Sequence, residues 1–301
     1  MPTQRHAALI DGPPRCVWPA AAELGEGTLW SVREQALYWV DILGRRLHRY
    51  QPALERRDSW ALESEVSAIA ERRDGRGLLL TLRHAFAHFD PATGNCSTVH
   101  VAESGQPGNR FNDGKTDAAG RFWAATIDFD CSRPTGTLYR FDTDGSCHAM
   151  HPGYIVTNGP TWSADGRTMY LNDSVGGRVQ AFDFDCERGT LAHERTWMQW
   201  APQDGSPDGM TTDAAGRIWI AHWGAACVSC HDPVSAQELA RVTLPTRHIT
   251  NCVFGGPDLR TLYISSARVG LSPGQLAAEP LAGALFCVPT RIEGLPAALY
   301  G

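Results

Sequence analysis

Asp117-Ala118-Ala119-Gly120-Arg121-Phe122-Trp123 and Asp213-Ala214-Ala215-Gly216-Arg217-Ile218-Trp219 are one phrase written twice, a tight polar turn followed by an apolar-aromatic pair. Ala164-Asp165-Gly166-Arg167-Thr168-Met169-Tyr170 repeats it with one inserted residue, and Glu34–Tyr38, Asp74–Leu79 and Pro257–Tyr263 are weaker copies. The phrases end at 38, 79, 123, 170, 219 and 263, at intervals of 41, 44, 47, 49 and 44 residues. A period of about 40 to 50 residues, built on a turn between two short strands, is that of a four-stranded propeller blade. The turn reads as a hairpin whose second strand opens on the aromatic residue. The expected architecture is all-β, a six-bladed β-propeller, with residues 1–301 forming one domain.

Composition agrees and sets limits. Thirty Gly, 19 Pro and 10 Trp in 301 residues, with 43% hydrophobic and 20% charged, describe a globular chain of many short strands and turns. A net charge of −6 gives no long-range pull towards phosphate backbones or anionic bilayers, so neither nucleic acid nor membrane is an expected partner. No run approaches the roughly 18 apolar residues of a spanning helix. The opening Met1–Pro14 holds Arg5, His6 and Asp11 and no apolar signal core, so a cytoplasmic chain is expected. Nine scattered cysteines read as reduced thiols rather than a disulfide framework. Cys227-Val228-Ser229-Cys230-His231 matches the haem-attachment pattern, but it falls in a strand-turn unit that recurs elsewhere without Cys, and no haem is expected.

Counting back eleven or twelve residues from each phrase-ending position reaches Glu26, Ser67, Asn112, Asn158, Asp208 and Asn251. First strands of propeller blades line the central channel, so these side chains converge on one axis. Gly follows three of them, and Asn-Gly and Asp-Gly are common turn formers. However, each hairpin turn is already assigned about eight residues later. Converging carboxylates repel unless a cation or protons compensate them. An oxygen-only donor set favours hard divalent ions, Ca²⁺, Mg²⁺ or Mn²⁺, with Fe²⁺ and Zn²⁺ open. Arg110 and Asn112 lie two apart on one strand, face the same side, and suit sugar-like hydroxyls.

Leu24–Trp30, Arg110–Lys115, Thr157–Pro160 and Ser206–Met210 resemble the ordered motifs of the gluconolactonase/regucalcin (senescence-marker-protein) family, over about Cys16 to Pro289. The tail, with Phe254–Leu259, Ser266–Arg268 and Pro280–Gly283, resembles bacterial aldonolactonases of pentose oxidation such as xylonolactonase or arabinonolactonase. The resemblance implies one divalent metal held by Glu26, Asn158 and Asp208, with Arg110 and Asn112 on the substrate, and hydrolysis of aldono-1,4- or 1,5-lactones. Some members place a substrate-binding Glu where this chain reads Thr126-Ile127-Asp128-Phe129-Asp130; Asp128 and Asp130 are the candidates, and Asp130 is carried forward. On this reading the metal acts as a Lewis acid and Asp208 assists water attack, since no Gly-x-Ser-x-Gly nucleophile motif is present. Two rivals are a non-catalytic calcium-binding or scaffold propeller, and a broader paraoxonase-like esterase, for which the ring offers few carboxylates. His222 and Trp223 are candidates for the pocket mouth.

Overall fold

The computed structural model describes residues 9–301; the first eight residues of the expected domain, and that part of the Met1–Pro14 reading, lie outside it. Twenty-four strands form six four-stranded antiparallel sheets arranged as a six-bladed β-propeller. Blades 1 to 5 are consecutive meanders. Blade 6 is completed by the chain's first strand, Arg15–Trp18, which pairs with Leu285–Pro289 and so closes the ring between its two ends.

The repeated phrase makes the hairpin that the sequence demands. Asp117 is 1% exposed; its Oδ1 accepts from the Ala119 and Arg121 amides, and its Oδ2 from Arg121 Nε at 2.7 Å and Trp123 Nε1 at 2.8 Å. Asp213 repeats all four contacts with Ala215, Arg217 and Trp219. One carboxylate thereby ties the turn to the following strand, which is why Asp, Arg and Trp recur together.

Blades pack face to face, so their middle strands bury both faces; Ala36–Asp41 is buried at every position. Six apolar clusters result, one at each seam. Tyr38 and Val40 meet Val66 and Leu80 between blades 1 and 2, Phe86 meets Phe111 and Phe122 at the next, and Trp219 meets Phe254 between blades 5 and 6. With the core spread over the seams, the innermost strands are free to carry polar side chains to the axis. Among the described residues no helix is long and apolar enough to cross a membrane.

Candidate active site

The six innermost strands are Gly25–Ser31, Val66–Glu71, Asn109–Thr116, Thr157–Trp162, Ser206–Thr212 and Ile249–Gly255. Each is interrupted by a β-bulge near its start: at 26/29, 66/68, 111/113, 158/161, 207/210 and 249/251. An inserted residue bends the strand and re-aims its side chain. The convergent ring sits at these bulges, which explains the glycines after Glu26, Asn158 and Asp208. They are not hairpin turn residues. Gly27 takes φ +58° with the Ser67 carbonyl oxygen 2.6 Å from where a Cβ would lie, and Gly159 takes φ +83° ahead of a cis proline.

The ring differs from expectation in one slot. Tyr263 pairs with Val253, as Leu79 pairs with Ala70 and Trp123 with Lys115, and three residues before each of these partners lie Thr250, Ser67 and Asn112. The sixth member is therefore Thr250, whose hydroxyl donates to the Gly25 carbonyl. The hairpin of blade 6 is one residue longer than the count assumed. Asn251 sits one step deeper, beside Asp113.

Glu26, Arg110, Asn112, Asp130, Asn158 and Asp208 all line one cavity of about 530 Å³, walled by Leu24, Phe129, Val175, Trp223 and Val269. Glu26, Asn158 and Asp208 are 3%, 3% and 5% exposed. Glu26 Oε2 accepts from the Gly27 amide at 3.0 Å and from Asn251 Nδ2 at 3.1 Å; Asp208 Oδ1 accepts from the Gly209 amide at 3.0 Å. Asn158 Nδ2 donates to Ser174 Oγ at 3.0 Å, so its Oδ1 is turned to Asn112 Nδ2 at 2.8 Å. Arg110 Nη1 donates to Asn112 Oδ1 at 2.7 Å, and its guanidinium lies 5.9 Å from the Phe129 ring.

Burial dominates the electrostatics. It pushes the Glu26 carboxyl up to about 8, assisted by the nearby Asp113 charge, and raises Asp208 well above the usual carboxylate range, assisted by Glu26 and Asp113. Arg110 is lowered by the same desolvation. Buried carboxylates that repel one another, with an Asn amide oxygen beside them, fit a hard divalent cation, which would relieve that repulsion. Among the described residues no three His, Cys, Asp or Glu side chains group as a metal cluster.

Asp128 and Asp130 separate cleanly. Asp128 is buried and spends both oxygens on the loop that follows, accepting from the Ser132 amide and hydroxyl, the Arg133 amide and the Arg133 guanidinium at 2.8 to 3.2 Å. These donors hold its carboxyl far below the usual range. Asp130 is exposed and lines the cavity. Trp223 is in the cavity wall but His222 is not; it is fully buried behind, bonded to Ser229 Oγ at 2.6 Å. Cys227 and Cys230 lie three apart on the strand Cys227–His231, so they face opposite sides and are separately buried; all nine cysteines are free. Sequence reasoning overlooked Asp113, Lys115 and Ser174. The first two were legible only as neighbours of Asn112, because the bulge at Asn112 decides which way they point.

The model of the SMP-30/gluconolactonase/LRE-like region matches residues 24–268. Regucalcin of Danio rerio is 34% identical over 288 residues, 95% of this chain and 97% of that protein. YvrE of Bacillus subtilis, a protein provisionally assigned as a sugar lactone lactonase, is 32% identical over 91% of this chain and 93% of its own length. The crystal structure of a calcium-binding protein, regucalcin, from Agrobacterium tumefaciens superposes with a TM-score of 0.92 at 28% identity, covering 97% of this chain and 98% of that one. The bulged axial ring, the cavity above it and these likenesses together place the chain in the SMP-30/gluconolactonase family.

Proposed function

We propose that the chain is a cytoplasmic, single-domain hydrolase that opens sugar lactones to aldonic acids with one divalent cation held by Glu26, Asn158 and Asp208. The observation that carries this reading is the shared cavity: two buried, mutually repelling carboxylates and an amide at its floor, with Arg110, Asn112 and Asp130 on its walls. When bound, the cation would supply Lewis acidity towards the lactone carbonyl. Arg110, fixed by its hydrogen bond to Asn112 Oδ1, presents its remaining guanidinium N–H groups to ring hydroxyls, while Asn112, whose Nδ2 is spent on the Thr157 carbonyl and Asn158 Oδ1, meets the substrate through Oδ1 as an acceptor. Asp130 accepts from a hydroxyl at the mouth. Asp208 takes the proton of the attacking water; the acyl-oxygen bond breaks and the ring oxygen leaves as a hydroxyl carrying a proton, so that one water is consumed per carboxylic acid formed. Nine free thiols suit a reducing compartment.

The test is acid release across pentono- and hexono-lactones and aryl esters, after chelation and readdition of Ca²⁺, Mg²⁺, Mn²⁺, Fe²⁺ or Zn²⁺. Asp208→Ala should abolish turnover and weaken cation binding, whereas Arg110→Ala should mainly raise KM. Full activity after exhaustive chelation would sink the metal role, and aryl esters outpacing lactones would favour a general esterase. The relatives named regucalcin and the calcium-binding neighbour favour a second reading, a calcium-binding protein without turnover. It requires that no lactone releases acid under any metal.

A further inference from the structure

Below the ring lies a second polar layer that the proposed chemistry does not use. Asp113 is 1% exposed and Lys115, two residues along the same strand, reaches inward beside it; each is the largest opposite charge acting on the other. Their partners are distributed in an ordered way. Asp113 Oδ2 accepts from the Gly159 amide at 2.9 Å, the residue after Asn158. The same oxygen accepts from Asn251 Nδ2 at 3.3 Å, and that nitrogen also donates to Glu26 Oε2 at 3.1 Å. Lys115 Nζ donates to the carbonyl of Met210, two residues after Asp208. Two charged side chains of blade 3 thus reach blades 4 and 5 directly and blade 1 through Asn251, the three blades that carry Asn158, Asp208 and Glu26, although blade 3 itself supplies none of these three side chains.

We propose that Asp113 and Lys115 are positioning residues whose branched contacts, relayed to Glu26 through Asn251, set the spacing of the three cation-binding side chains. The inference rests on the proposed cation site. Each ring side chain leaves a bulged strand, where the sheet ladder is broken and cannot by itself fix the side chain's direction. Contacts behind a ligand commonly govern metal affinity by 10-fold to 100-fold. Asp113 does so from a fully buried position, and Lys115 from the half-buried end of the same strand.

The experiment is titration of the full chain with CaCl₂ and MnCl₂ by calorimetry, with the Mn²⁺ paramagnetic resonance spectrum as a record of coordination geometry and the melting temperature taken in chelator. Asp113→Asn should weaken both ions by about tenfold or more and alter the spectrum. Asn251→Leu removes the relay to Glu26 without changing charge, so it should do the same while melting in chelator within a few degrees of the parent. That separates placement from field strength, and it decides the matter if Asp113→Asn does not fold. Parental affinity and an unchanged spectrum in Asn251→Leu would overturn the positioning role while leaving the cation site standing. A parent chain that binds neither ion, or a Glu26→Gln variant that binds as tightly as the parent, would bring down the site and the positioning role together.

Discussion

Asp213 shows how much a single side chain contributes to this fold. It is fully buried and answers four donors, among them the Arg217 guanidinium and the Trp219 indole. Asp213→Ala strands a half-buried guanidinium and a buried N–H together, and loss of one partner from such a set costs about 3 kcal/mol. We expect the urea midpoint to fall accordingly at unchanged slope. In the third phrase the turn position of Asp213 is held by Ser163, and the acidic residue, Asp165, lies two positions on, is exposed and holds only the Ser163 hydroxyl and the Arg167 amide, so Asp165→Ala should leave the midpoint nearly unmoved. Equal effects would mean that the turn, not the carboxylate-indole tie, is the stabilising unit. The phrase was legible because its residues act locally, within six positions of one another. Asp130 against Asp128 was not: both are acidic residues at the end of one strand, and only the loop fold, which brings Ser132 and Arg133 back onto Asp128, tells them apart.

At the scale of the strand, period 2 and the hairpin count located the ring but not its bulges. Five of six slots were reached by counting from the aromatic residue, because the hairpins of those blades are alike in length. The sixth differs by one residue, and a shift of one on a strand exchanges its two faces, so the count places Asn251 in the ring, whereas it supports the ring from beneath. The glycines after the acidic residues carry a consequence of this geometry. A Cβ at Gly209 would strike the Asn251 amide and lie 2.9 Å from the Thr250 carbonyl oxygen. Gly209→Ala should therefore push Asn251 away from Glu26 and widen the site. We expect a cation affinity at least tenfold weaker and a lower kcat, with the far-ultraviolet circular dichroism of the parent. A variant that binds the cation normally would show that the floor of the site yields without consequence.

For the molecule as a whole, closure is the decisive event, since the ring is held by one four-residue strand from the start of the chain, Arg15–Trp18, laid on the last. Its Trp18 crosses the seam to blade 1, where the ring of His48 lies 5.0 Å from Trp18 and 4.5 Å from Trp39, with Nδ1 on Ser59 Oγ at 2.7 Å. Burial lowers the His48 pKa from 6.5 to about 4, Asp41 opposing that shift and Arg46 adding to it. A histidine whose folded pKa lies below its unfolded value binds fewer protons when folded, so its contribution is complete above about pH 6.5 and is lost as the pH falls towards 4. Between pH 7.5 and 5 this one group should remove about 2 kcal/mol of stability, at 1.36 kcal/mol per pH unit below 6.5. Because the proton enters at the closing seam, the loss should appear as opening there, with faster hydrogen exchange in Arg15–Trp18 and Leu285–Pro289 before the other five blades respond. His48→Phe keeps the ring stacking, cannot take the proton, and should flatten the pH dependence of the urea midpoint over this range. If the variant keeps the parent's slope, the acid sensitivity arises elsewhere and the seam does not govern closure.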